Sequence, residues 1–142
     1  MQILTTYFPT SQPSSAQVLL YEHHVPAGFP SPAADFTART LDLNEFIVKH
    51  PASTFFIKVS GDSMQNAGIY DRDVIVVDKS LKAAHGNIVL AIVNGEFTVK
   101  RLHYVGARVF LKPENDKYPL LEVTPEMDFV VWGVVIHVLH KV

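Results

Sequence analysis

Ile88 to His103 read IVLAIVNGEFTVKRLH, and this stretch decides the fold. An apolar run, Ile88 to Val93, meets Asn94-Gly95 and then a second β-rich run, Glu96 to His103. Asn-Gly between two such runs is a strong hairpin signal, because a type I′ turn needs φ > 0 at both central positions. Working outward, Phe55 to Val59 is a β-rich run ending at Ser60-Gly61, and Asp73 to Asp78 encloses a buried strand between two acidic residues. Arg108 to Leu111, Leu120 to Val123 and Phe129 to Leu139 complete the set. Turn signals stand at Gly68, His85-Gly86 and Val105-Gly106, and there is no internal repeat. From Thr54 onward the chain reads as mostly antiparallel β.

The N-terminal part reads differently. Residues 1–34 hold five of the nine prolines and one charged side chain, Glu22. Proline fixes φ and removes a donor, which excludes a regular helix or a central strand there. This predicts an extended arm over 1–34 and a β domain over 35–142. Two helix starts lie at the junction: Ser31 as N-cap with Pro32 at the first position, and Asp42 with Glu45 three residues on. Leu43, Phe46 and Ile47 share one helical face and Pro51 stops it, so one or two short helices are expected over about 33–50.

Composition narrows the function. The chain has 142 residues, 48% of them hydrophobic and 18% charged, which is enough for one globular domain. A net charge of −2 offers no basic surface for non-specific DNA binding, so any nucleic-acid role is expected to pass through a protein partner. With no cysteine there is no disulfide, thiolate metal site or cysteine nucleophile. The N-terminus lacks the pattern of a signal peptide, and Phe129 to Leu139 is well short of the roughly 20 residues of a membrane span, so a cytoplasmic protein without membrane contact is expected. Neither His23 with His24 nor His137 with His140 forms a metal pair by local geometry, and no metal or cofactor is expected.

Two segments stand out together: Ser60-Gly61-Asp62-Ser63-Met64 after a strand, and Phe97-Thr98-Val99-Lys100-Arg101 on the second strand of the hairpin. Each alone has an ordinary reading, a turn serine and a solvent-facing lysine. As a pair, with 37 residues from Ser63 to Lys100, they resemble the LexA/UmuD-type self-cleaving serine–lysine protease family. Ala27-Gly28, about 35 residues before Ser63, sits where that family has its scissile bond. The likeness extends through Phe29 to Asp35, Leu41 to Asn44, His50-Pro51, His85-Gly86 and Gly133 to Val138, and favours the UmuD branch over LexA-type repressors.

The resemblance implies a mainly β fold with LexA/signal-peptidase-like curved antiparallel β-sheets, short helices near the N-terminus and an extended N-terminal arm. It implies Ser63 as nucleophile, Lys100 as base and Ala27-Gly28 as cleavage site. It also implies a homodimer of the SOS response to DNA damage. A RecA–single-stranded DNA filament would stimulate cleavage, and a Y-family (UmuC-like) polymerase would use the trimmed form in translesion synthesis.

The residue types suit the chemistry. A serine hydroxyl needs a base to take its proton, and lysine can serve only if burial lowers its pKa from about 10.4. Phe97, Val99 and Leu102 are candidate desolvating neighbours of Lys100. Thr98 lies two residues from Lys100, on the same strand face, where its hydroxyl can position the amine. The amides of Ser63 and Asp62 are candidate oxyanion-hole donors. Arg101 alternates to the opposite face and reads as structural. The competing readings are a phage- or plasmid-type repressor fragment with the same protease core, and a non-catalytic β-rich interaction domain in which Ser63 and Lys100 are incidental.

Overall fold

The computed structural model describes residues 1–14, 17–21 and 38–142. Its elements in chain order are β1 (Gln2–Tyr7), β2 (Gln17–Tyr21), β3 (Ala38–Asp42), α1 (Leu43–Ile47), β4 (Thr54–Ser60), β5 (Val74–Asp78), β6 (Ile88–Val93), β7 (Glu96–Val105), β8 (Arg108–Lys112), β9 (Leu121–Val123) and β10 (Phe129–Leu139). The chain divides into two compact units, residues 1–9 with 50–142, and residues 10–49.

In the smaller unit β2 pairs antiparallel with β3, and α1 follows directly. Asp42 caps α1 as expected, its Oδ1 accepting from the Asn44 N–H at 2.9 Å. Residues 38–42, which the sequence reading places within a helical stretch, are instead strand β3. Their backbone groups are satisfied by the partner strand β2, a long-range pairing that local capping signals do not report. The expected helix start at Ser31-Pro32 and the Ala27-Gly28 segment lie outside the described residues.

The larger unit is one eight-stranded sheet, ordered β1-β4-β5-β10-β6-β7-β8-β9. Every pairing in it is antiparallel. The β6–β7 hairpin forms as the sequence predicts: Val93 faces Glu96, and Asn94 and Gly95 have φ of 49° and 82°. Residues 2–7, read from sequence as part of the arm, form an edge strand on β4. Their β-branched and aromatic content suits an edge strand, with Ile3 half-buried against the core and most other side chains exposed.

The sheet carries a core on each face. Successive residues of β6 take opposite sides, so Leu90 joins Phe55, Ile57, Val59, Met64, Ile75, Val77 and Val99, while Val89 and Ala91 join Leu102, Leu111 and Val134. β5 is the strand most fully enclosed, and a buried aspartate stands at each end. Asp73 meets His140 Nδ1 at 2.5 Å. Asp78 meets His50 Nδ1 at 2.5 Å and accepts from Ser53 Oγ, Ser80 Oγ and the Ser80 N–H. These donors outweigh the cost of burying the Asp78 carboxylate and hold its pKa at about 2.

β10 crosses the middle of the sheet and needs a glycine there. Its register shifts between Val131 and Gly133 against β6 and between Val135 and His137 against β5. A Cβ at Gly133 would lie 2.5 Å from Val77 Cγ1 and 3.2 Å from the Asp78 carbonyl oxygen. Gly133→Ala is therefore expected to destabilise the fold by about 1–3 kcal/mol, the usual cost of overpacking a core. Thermal unfolding followed by circular dichroism checks this, and an unchanged midpoint would show that β5 yields freely to β10.

Candidate active site

The nucleophile candidate sits in a loop that is fastened at every step. β4 ends at Ser60, and Gly61 takes φ +98°, a backbone state that a side chain would strain. The Gly61 N–H donates to Asp71 Oδ1 at 2.8 Å. Met64 is wholly buried in the larger core and anchors the residue after Ser63. Its carbonyl accepts from the N–H groups of Ala67 and Ile69 as the chain turns through residues 65–67. Ser63 itself is 1% exposed.

Lys100 arrives from β7, where it pairs with Val89 of β6. Its Nζ lies 3.2 Å from Ser63 Oγ, 2.9 Å from Thr98 Oγ1 and 3.0 Å from the Val99 carbonyl oxygen. The structure thus brings together Ser63, Lys100 and Thr98 as the sequence expects. Of the expected apolar neighbours, Val99 and Leu102 are buried, whereas Phe97 is 40% exposed and packs edge-on to Trp132. Burial lowers the Lys100 pKa below its ordinary 10.5, and a hydrogen bond with the Met1 amine acts the other way.

Asp62 is held by partners from the far side of the loop sequence. Its carboxylate accepts the Tyr118 hydroxyl, and its carbonyl accepts from Asn115 Nδ2 at 2.9 Å and from the Gln65 N–H at 3.2 Å. The Ser63 carbonyl accepts from the Glu114 N–H at 2.8 Å. Arg101, on the face opposite Lys100, donates to Glu114 Oε1 and to the Gly86 carbonyl oxygen, each at 2.6 Å. Glu114, Asn115 and Tyr118 do not figure among the sequence candidates. Asn115 and Asp62 are 53 residues apart, and no spacing rule links them.

The mouth of the site holds the chain's first residue. The Met1 amine lies 3.1 Å from Ser63 Oγ, and burial together with the charge on Lys100 lowers its pKa to about 5. Met1 and Gln2 line two cavities, one of about 290 Å³ with Gly61, Asp62 and Ser63, the other of about 540 Å³ with Phe97, Thr98, Leu121 and Met127. The two cavities together make a groove beside Met1 and Gln2. Among the described residues no three His, Asp or Glu side chains converge as metal ligands. No helix of the described residues is long and apolar enough to cross a membrane.

A serine hydroxyl beside a desolvated amine, on a mainly β scaffold, is the equipment of a peptidase. Residues 19–136 match the Peptidase S24-like family, and the chain belongs to that family. It is similar to Protein MucA of Escherichia coli, 47% identical over 120 residues that cover 84% of this chain and 82% of MucA. Protein SamA of Salmonella typhimurium is 45% identical over 133 residues, 94% of this chain and 92% of SamA. The LexA repressor of Bordetella avium is 36% identical over 141 residues, 93% of this chain and 66% of LexA.

The lowered Lys100 pKa has a thermodynamic sign. The unfolded chain keeps the lysine proton up to about 10.5, and the folded chain releases it earlier. Between those two values the unfolded state binds more protons, so stability rises with pH. Compared with Lys100→Met, the wild type is expected to gain stability as pH rises toward 10.5. Chemical denaturation of both proteins at pH 7 and at higher pH reads this difference, and a gap moving the other way would mean that the folded site favours the ammonium.

Proposed function

We propose that this protein is an autoproteolytic serine endopeptidase of SOS mutagenesis that cuts itself between Ala27 and Gly28. The observation that carries the reading is the 3.2 Å contact between Lys100 Nζ and Ser63 Oγ. The neutral amine takes the Ser63 proton as Oγ bonds to the Ala27 carbonyl carbon, and the developing oxyanion draws on the Ser63 amide. The Ala27–Gly28 bond then breaks, and the lysine ammonium gives its proton to the leaving Gly28 nitrogen. Water, deprotonated by the regenerated amine, attacks the ester carbonyl, and the ammonium returns that proton to Ser63 Oγ as the bond to Ala27 breaks. Thr98 holds the amine on line throughout.

The cleavage segment takes the place of Met1 and Gln2 at the mouth of the groove. Val25 and Ala27 alternate to one side of such an extended segment, and small residues at the bond let the backbone approach Oγ. A RecA–single-stranded DNA filament favours the seated arm and adds no catalytic group. The trimmed protein, a cytoplasmic homodimer, serves a Y-family, UmuC-like polymerase in translesion synthesis. Support for these partners is the likeness of the chain to the UmuD branch together with the S24 family membership.

Incubation of the purified protein at rising pH tests the reaction. A fragment beginning at Gly28 is expected, at a rate that climbs as Lys100 loses its proton and levels off above its pKa. Ser63→Ala is expected to slow cleavage by about a thousandfold or more. Lys100→Arg is expected to be as inactive as Lys100→Ala, because a guanidinium stays protonated above about pH 12. An active Lys100→Arg protein, or a wild-type rate that falls between pH 7 and 10 without unfolding, would exclude lysine as the base.

A further inference from the structure

The proposed reaction needs more than a serine and an amine. The Ser63 N–H must point at the oxyanion and stay there, and a peptide N–H is aimed by whatever grips its carbonyl. Across a trans peptide the C=O and N–H point in opposite directions, and no peptide among the described residues is cis. The carbonyl of the Asp62–Ser63 peptide is gripped by Asn115 Nδ2 at 2.9 Å, the shorter of its two hydrogen bonds, the other coming from the Gln65 N–H of the same loop at 3.2 Å. Asn115 is 6% exposed, and its Oδ1 accepts the Lys117 N–H at 3.0 Å. An N–H requires an acceptor, so that bond fixes which end of the amide faces Asp62.

The neighbouring residue grips the loop a second time. The Glu114 N–H donates to the Ser63 carbonyl at 2.8 Å, and the Glu114 carbonyl accepts the Asn66 N–H at 2.9 Å. The peptides on both sides of Ser63 are thereby held by one short segment. The Glu114 side chain in turn is held by Arg101 Nε at 2.6 Å. Arg101 adjoins Lys100 on β7 and projects from the other face. The base and the clamp therefore hang from consecutive residues of one strand and meet the same loop from two sides.

We propose that Glu114 and Asn115 form a positioning clamp, with Asn115 setting the plane of the oxyanion-hole peptide and Arg101, through Glu114, registering that peptide to the strand bearing Lys100. None of the three touches the reacting atoms, so they are positioning residues. The proposal rests on the self-cleavage reading and assigns this part of that machinery.

The clamp predicts a particular kinetic signature. Loss of Asn115 leaves the amine's surroundings intact, so the midpoint of the pH–rate profile stays in place. The plateau falls, because the oxyanion donor is no longer aimed. A misaimed donor is expected to cost about 10- to 100-fold in rate. The test is the self-cleavage rate of full-length wild type, Asn115→Ala and Asn115→Leu against pH, with thermal unfolding of each. Leucine has the same number and branching of side-chain heavy atoms as asparagine and no hydrogen-bonding group, so it fills the buried seat if alanine loosens the fold. A lowered plateau with an unmoved midpoint, in protein folded at the assay temperature, supports the clamp. A plateau within twofold of wild type overturns it, and so does a shifted midpoint, which would place Asn115 on the lysine side of the chemistry. If wild type itself fails to cleave at any pH, the protease reading falls and the clamp with it. Normal wild-type cleavage matched by the variants overturns the clamp alone.

Discussion

Everything in the site follows from keeping one amine partly out of water. An ammonium loses hydration when buried, and this loss moves Lys100 toward its neutral form. The amine is tolerable there because Ser63 Oγ, Thr98 Oγ1 and the Val99 carbonyl oxygen surround it at 2.9–3.2 Å. The Met1 amine is a fourth partner, hydrogen-bonded to Lys100 and 3.1 Å from Ser63 Oγ.

Such an arrangement is only as good as the backbone that holds it. A chain segment left to itself would move Ser63 Oγ away from a group it is costly to hold. The fold resists through fixed points of different physical kinds. Gly61 supplies a turn closed to other residues, Met64 sinks into the core, and Asp71 takes the Gly61 N–H. Residues 114 and 115 take the carbonyls of the two peptides that flank Ser63. Behind the loop, β5 is pinned at both ends by buried aspartates bonded to histidines from other elements. The Asp78 carboxylate keeps its charge because several donors converge on it.

The first strand connects the frame to the mouth of the site. β1 adds to β4 at the end where β4 leads into the Ser63 loop, and so places Met1 against Ser63 Oγ. Its extended backbone lies along a sheet edge, between a cavity on the Ser63 side and one on the Thr98 side.

The local pattern of the chain was enough to determine the strands from residue 54 onward, the turn at Asn94-Gly95 and the alternation that sets Thr98 beside Lys100. These depend on neighbours a few residues apart, so period and turn chemistry report them directly. Ser63 and Lys100 stood out once taken as a spaced pair, and their contact at 3.2 Å was a tertiary matter that resemblance alone suggested. Only the tertiary structure decided that residues 2–7 join the main sheet, that residues 38–42 are strand, and that Gly133 is required by the approach of β5. The same holds for Asn115 and Glu114. Their partners lie about fifty residues away, and a backbone carbonyl that needs a donor leaves no mark on its own side chain. Long-range pairing of backbone groups is blind to residue type, which is why the strand pattern was readable in sequence and the hold of residues 114 and 115 on the Ser63 loop was not.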